Sequence, residues 1–212
     1  MSLQTRAAVL ISGNGSNLQA IIDAVAEQRL DLHLALVISN RDNAYGLTRA
    51  RQAGIPVVVL KHQGESREEY DRKLDHQLRQ AKINLVILAG FLRILSDEFV
   101  QRHMGQLVNI HPSLLPRHKG LNTHRRVLQA GDKTHGATVH FVVPELDAGP
   151  IILQASLQVN ADDNEQKLAQ RVLQLEHMIY PMALQWIVHS QVKLVDGKLV
   201  KNDGDLPQLI SF

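Results

Sequence analysis

Apolar residues are laid out along the first half of the chain in two alternating patterns. Short, nearly unbroken apolar runs at residues 7–12 (AAVLIS), 34–39 (LALVIS), 55–60 (IPVVVL), 83–89 and 107–110 read as strands buried on both faces. Between them the apolar positions recur every three or four residues. Leu18, Ile21, Ile22 and Val25 mark a helix over 17–27, a second helix ends near Gly54, and 96–103 forms a short one. The helix expected over 66–81 opens on Ser66 with Glu69 three residues later, the spacing of a capping box. Strands of this kind separated by helices predict βαβ units, hence an α/β, Rossmann-like, mostly parallel sheet with helices on both faces.

The pattern changes in the second half. Residues 134–143 and 151–159 are two long strands joined by the turn-rich ELDAGP, so they are expected to pair antiparallel. A long helix follows over 165–190, with Pro181 expected to kink or divide it. Residues 193–201 read as a hairpin turning at Asp196-Gly197. No repeat or linker interrupts the 212 residues, so one domain with an antiparallel C-terminal extension is expected.

Composition narrows the function classes. Hydrophobic residues at 44% and charged residues at 21% are ordinary for a soluble globular domain. A net charge of +2, from 23 basic and 21 acidic residues with no basic run, predicts no nucleic-acid partner. The absence of cysteine excludes disulfides, thiolate metal sites and a cysteine nucleophile. No apolar stretch approaches the roughly 20 residues of a membrane span, and no secretory leader is evident. A cytoplasmic protein without membrane contact is expected.

Three segments carry candidate chemistry. Residues 12–17 (SGNGSN) join the first strand to the first helix, where glycines and a helix N-terminus suit a phosphate. On spacing alone, the same string also fits a tight turn with Ser16 or Asn17 as the helix cap. Asn109 and His111 alternate onto one side of the fifth strand, at the end of a parallel sheet where ligands bind. An amide and an imidazole side by side can bond an oxyanion, although a lone histidine is as often structural. Asp147, in the loop before Gly149-Pro150, is either a turn residue or a carboxylate facing His111. Arg93 is either a ligand contact or a surface arginine, and Glu176-His177 either a solvated helix face or a contact. His135 and His140 are five apart, which places them on opposite faces of one strand, so no metal site is expected.

Taken together these strings resemble the phosphoribosylglycinamide formyltransferase (glycinamide ribonucleotide transformylase) family. The resemblance runs through ISGNGSNLQAI (11–21), LAGFLRIL (88–95), NIHPSLLP (109–116), HGATVHFV (135–142), ELDAGPII (145–152) and QLEH (174–177), leaving only the tail after about Ser190 unplaced. It implies a formyltransferase fold over 1–212, with a nucleotide-binding half over about 1–105 and a catalytic and folate-binding half over about 106–212. It implies transfer of a formyl group from the co-substrate 10-formyltetrahydrofolate to glycinamide ribonucleotide in purine biosynthesis. Asn109, His111 and Asp147 match the family's catalytic trio. Gly15, Ser16 and Asn17 match its phosphate loop, and Glu176 its ribose-binding glutamate. Arg67, Leu92, Arg93, Ile94 and Leu95, with Val142, Val143, Pro144, Glu145 and Leu146, match the folate contacts. The family includes monomers and homodimers. Asn122-Thr123-His124 departs from its usual His-Thr-His, so Asn122 is given no role and His124 is a weak candidate. Formyltetrahydrofolate deformylase and methionyl-tRNA formyltransferase share the Asn-x-His-Pro string. The first usually has an added N-terminal domain, the second a basic surface and a longer C-terminal domain, and neither is evident. A reading from another class, a non-catalytic nucleotide-binding module, is opposed by the retained trio.

Overall fold

A computed structural model describes residues 4–202 and 206–212. The chain divides into two compact units, Met1–Asn109 and Ile110–Phe212. The first holds β1 (Arg6–Ile11), α1 (Ser16–Ala26), β2 (His33–Ser39), α2 (Tyr45–Gln52), β3 (Val57–Val59), α3 (Arg67–Gln80), β4 (Leu85–Leu88) and α4 (Asp97–Arg102). Strand β5 (Leu107–His111) runs across the boundary. The second unit continues with α5 (Thr123–Ala130), β6 (Thr134–Phe141), β7 (Ile151–Gln158), α6 (Glu165–Val188), β8 (Val192–Val195), β9 (Lys198–Lys201) and β10 (Leu209–Ser211).

Eight strands form one sheet in the order β10-β7-β6-β5-β4-β1-β2-β3, and β8 with β9 forms a separate pair. Pairing is parallel for β1 with β2 and β4, β2 with β3, β4 with β5, and β7 with β10. The pair β6–β7 is antiparallel, as the ELDAGP turn predicts. The sheet is therefore mostly parallel. The central strands β1 and β4 are buried along almost their whole length, which is why they read as continuous apolar runs.

Local chemistry explains most boundaries. The Ser66 hydroxyl accepts the Glu69 N–H and the Glu69 carboxylate accepts the Ser66 N–H, a complete capping box that starts α3. Asp196 and Gly197 both have positive φ (48° and 73°), the turn that matches strand twist in the β8–β9 hairpin. Pro181 does not divide α6, which runs unbroken for 24 residues. One hydrogen bond is forfeited there, but Ile179, Tyr180, Ala183 and Leu184 on either side are fully buried and hold both halves to the core. Two short elements, α5 and β10, lack the periodicity that would have predicted them.

Candidate active site

Parallel register brings the loops of the first unit to one edge of the sheet. Ile11 lies beside Ser39, Leu10 beside Leu88, and Leu88 beside Asn109. The segments after β1, β2 and β4 therefore leave from the same edge as Asn109. This edge, at the carboxyl ends of the strands, is where open α/β sheets take ligands.

The segment after β1 is shaped by close backbone approach. Gly15 has φ 73° and forms the helix cap itself, so Ser16 is the first residue of α1 and the cap is neither Ser16 nor Asn17. A Cβ on Gly15 would lie 2.6 Å from the Gly46 Cα at the start of α2, and the Gly46 N–H donates to the Gly13 carbonyl at 3.1 Å. Only glycine fits, and a cap without a side chain leaves the first-turn N–H groups of α1 uncovered by their own cap. With no acidic residue in that first turn, the positive end of the helix is not neutralised locally. Arg49 of α2, to which sequence reasoning gave no role, fixes the loop. Its guanidinium donates to the Asn14 carbonyl and to Asn14 Oδ1, both at 3.0 Å, and to Gln19 Oε1 at 3.2 Å, while lying 4.9 Å from the centre of the Tyr45 ring.

The segment after β4 is tied to the first by one bond: the Leu92 N–H donates to the buried Ser12 hydroxyl at 2.8 Å. Leu92 and Ile94 are exposed, 59% and 55%, while Leu95 is buried. Arg93 is neither a free surface arginine nor directed outward. Its guanidinium lies over the Tyr70 ring of α3, 3.9 Å from the centroid. Arg67, in the first turn of α3, is exposed.

In the second unit the structure brings His111 and Asp147 together. His111 Nδ1 lies 3.5 Å from Asp147 Oδ2, and both side chains are over nine-tenths buried. The other ring nitrogen, Nε2, donates to the His118 carbonyl at 3.1 Å. Asp147 Oδ2 also accepts the Gly120 N–H at 2.8 Å. Backbone from 118–120 thus closes on both members of the pair. That segment is itself anchored where His118 Nε2 meets Asp132 Oδ2 at 2.7 Å, with Arg117 on the other carboxylate oxygen. The His118 bond is the chief reason the Asp132 carboxyl sits below its ordinary range. The clamp from the His118 carbonyl and the Gly120 N–H had no legible signal in the sequence.

Asp147 sits in left-handed backbone, φ 49°, so it is a turn residue as well as a partner of His111. The loop closes tightly because of Gly149: a Cβ there would lie 1.8 Å from the Phe141 carbonyl oxygen. Within 142–146, Pro144, Glu145 and Leu146 are exposed, and Lys119 pairs with Glu145 at 2.9 Å. His140 is also near the pair, with Nε2 3.9 Å from Asp147 Oδ1. Its Nδ1 donates to the Phe141 carbonyl at 2.8 Å, and burial pushes the ring below the ordinary histidine range. Glu176 is buried on α6 at 7% exposure, so a solvated face is excluded. His124 Nδ1 bonds His135 Nε2 at 3.0 Å. Burial holds His135 down at about 3. Among the described residues no group of three or more His, Cys, Asp or Glu side chains is placed to hold a metal ion.

Known proteins resemble this chain over most of its length. The chain is 50% identical over 200 residues to phosphoribosylglycinamide formyltransferase of Escherichia coli (strain K12), covering 94% of each. It is 49% identical over 188 residues to the trifunctional purine biosynthetic protein adenosine-3 of Drosophila melanogaster, covering 87% of this chain and 14% of that one. Among solved structures, the phosphoribosylglycinamide formyltransferase of Coxiella burnetii superposes with a TM-score of 0.90 at 43% identity, over 94% of both chains. Residues 5–184, a span that contains the sheet-edge loops, the His111–Asp147 pair and Glu176, match the family described as formyl transferase, and the chain belongs to that family.

Proposed function

We propose that this chain transfers the formyl group of 10-formyltetrahydrofolate to the amine of glycinamide ribonucleotide, giving formylglycinamide ribonucleotide and tetrahydrofolate. The observation that carries the reading is the buried His111–Asp147 pair, with His111 two residues beyond Asn109 on β5. The comparisons supply the substrates: whole-length relatives at up to 50% identity bear the name of this activity.

The roles follow from chemistry. Gly15, Ser16 and Asn17 hold the phosphate at a helix start that favours anions. Glu176 binds the ribose. Arg67, residues 92–95 and residues 142–146 hold the folate. The glycinamide amine attacks the formyl carbon, and charge collects on the former formyl oxygen. Asn109 donates to that oxygen, as does His111, which exchanges the His118 carbonyl for it. Asp147 balances the imidazolium and passes the proton lost by the amine to the folate nitrogen, whose bond to the formyl carbon breaks. No metal and no covalent enzyme intermediate is required. Residues 1–212 act as one formyltransferase domain, with nucleotide binding over about 1–105 and catalysis and folate binding over about 106–212. No described helix is long and apolar enough to cross a membrane. We place the protein in the cytoplasm, as a monomer or homodimer, without nucleic-acid partners.

The test is an assay of purified protein with 10-formyltetrahydrofolate, offering glycinamide ribonucleotide, water or charged methionyl-tRNA as acceptor. Tetrahydrofolate should form only with the ribonucleotide. Release in water alone would favour a deformylase, and formylation of tRNA would overturn the acceptor assignment.

A further inference from the structure

The buried face of α3 lies directly behind the loop after β4. Tyr70 is fully buried and presents its ring to the Arg93 guanidinium at 3.9 Å. Its neighbour Asp71, 3% exposed, accepts the Ser96 N–H on Oδ2 at 2.6 Å. Ser96 is in turn the cap of α4, its hydroxyl accepting the Phe99 N–H at 3.3 Å. One side chain of α3 therefore holds the middle of the loop and the next holds its end.

This arrangement is costly as architecture alone. Burial pushes the Asp71 carboxyl up from its ordinary range, with the hydrogen bonds from Ser96 and then the Arg93 charge acting in the other direction. Tyr70 Oη, Asp71 Oδ1 and Arg93 Nε are buried without a hydrogen-bond partner within the protein. Apolar packing would hold a loop without such unpaired groups, so their presence marks a site where geometry outweighs stability. Arg93 is the telling residue. A long cation beside two exposed apolar residues, Leu92 and Ile94, would be expected to reach for an anionic ligand, yet it is stacked inward on an aromatic face.

We infer that Tyr70 and Asp71 are positioning residues for loop 91–96, and that Arg93 acts as an inward strut setting the loop backbone and the apolar surface of Leu92 and Ile94 rather than as a charge contact to the folate. The inference rests on the proposed reading of 92–95 as a folate contact. Loss of the strut weakens folate binding and leaves nucleotide binding and the chemical step nearly intact.

The experiment compares parent, Tyr70→Leu, Tyr70→Phe, Asp71→Ala, Arg93→Lys and Leu92→Asp. It reads KM for each substrate, kcat, thermal unfolding, and amide hydrogen exchange over 91–96. Tyr70→Leu and Asp71→Ala should speed exchange over 91–96 and raise the folate KM about five- to thirtyfold, the scale of a desolvated cation–π contact. Nucleotide KM and kcat should change by less than about threefold. Tyr70→Phe, which keeps the ring face, should recover most of the loss. Arg93→Lys should raise the folate KM by the same factor for mono- and polyglutamyl folate and at low and high salt. A loss that grows with glutamate number, or shrinks with salt, shows a charge contact and overturns the strut. Unchanged exchange in a folded Tyr70→Leu protein overturns the positioning role while leaving the folate reading standing. Faster exchange with an unchanged folate KM in both Tyr70→Leu and Leu92→Asp removes the folate reading of the loop, and with it the functional half of this inference.

Discussion

Gly15→Ala isolates what close backbone approach contributes to the phosphate loop. Two costs arise at this position. An L side chain at φ 73° costs about 1–2 kcal/mol in left-handed backbone, partly offset because alanine has less unfolded-state entropy to lose. In addition the new methyl would lie 2.6 Å from the Gly46 Cα, a backbone atom that cannot swing aside. Relief requires α2 and the loop to separate by several tenths of an ångström, which strains the Gly46–Gly13 hydrogen bond of 3.1 Å. Gly54→Ala is the matched control, because Gly54 has φ 70° and nothing within 4 Å of its would-be Cβ. Both variants should lose stability through the backbone cost, lowering Tm by about 2–4 °C per kcal/mol in a chain of this size. Only Gly15→Ala should raise the nucleotide KM, by about ten- to hundredfold for a displaced anion cradle, with kcat falling much less. Steady-state kinetics and calorimetry on the two proteins decide it. If both show parental nucleotide KM, the loop does not bind phosphate through its backbone shape and the assignment of residues 15–17 falls.

Three further outcomes follow from the contacts of the site and the core. Asn109→Ala and His111→Ala should each lower kcat about 10²–10³-fold, the usual loss of one oxyanion donor, with little change in nucleotide KM, and Asp147→Asn should also cut turnover severely; near-parental turnover in His111→Ala refutes its role. Arg49→Met removes three donors from Asn14 and Gln19 while leaving bulk over Tyr45, so the nucleotide KM should rise about three- to tenfold with Tm nearly unchanged; an unaltered KM shows that the loop holds its shape without the arginine. His135, held at about 3 by burial against an unfolded value near 6.5, is bound neutral in the fold. Its contribution is fully present above about pH 6.5 and is lost as pH falls towards about 3, at up to about 1.4 kcal/mol per pH unit. Urea unfolding at pH 7, 5 and 4 should give a shallower pH dependence for His135→Gln than for the parent, and equal slopes would refute the assignment.

Parallel-sheet architecture was legible because both faces of β1, β2 and β4 are covered, which forces unbroken apolar runs. The capping box and the Asp196-Gly197 turn were legible because their geometry is local. What escaped the sequence depends on partners far along the chain. Helix α5 carries only Thr123 and Val127 as buried residues, too few to show a period. Strand β10 is three residues long and exists through its pairing with β7. Arg93 read as a possible ligand contact because nothing local announces that Tyr70 lies under it, 23 positions earlier.

The histidines show why residue type alone could not select the acid. The chain has eleven, and two of them, His111 and His140, face Asp147 at 3.5 and 3.9 Å. Distance does not separate them; hydrogen bonding does. His140 commits Nδ1–H to the Phe141 carbonyl and is kept neutral by burial, so its Nε2 offers the carboxylate a lone pair and no proton. His111 has an acceptor on each side, a carboxylate at Nδ1 and a carbonyl at Nε2, and its Nε2–H is already donated to the carbonyl. Of these two acceptors the His118 carbonyl is neutral and the more readily exchanged for a developing oxyanion, while the carboxylate stays to balance the ring. A His140→Asn variant should therefore keep far more turnover than His111→Asn. Steady-state kinetics giving equal losses would mean that Asp147 serves both rings, and that the proton path runs through neither alone.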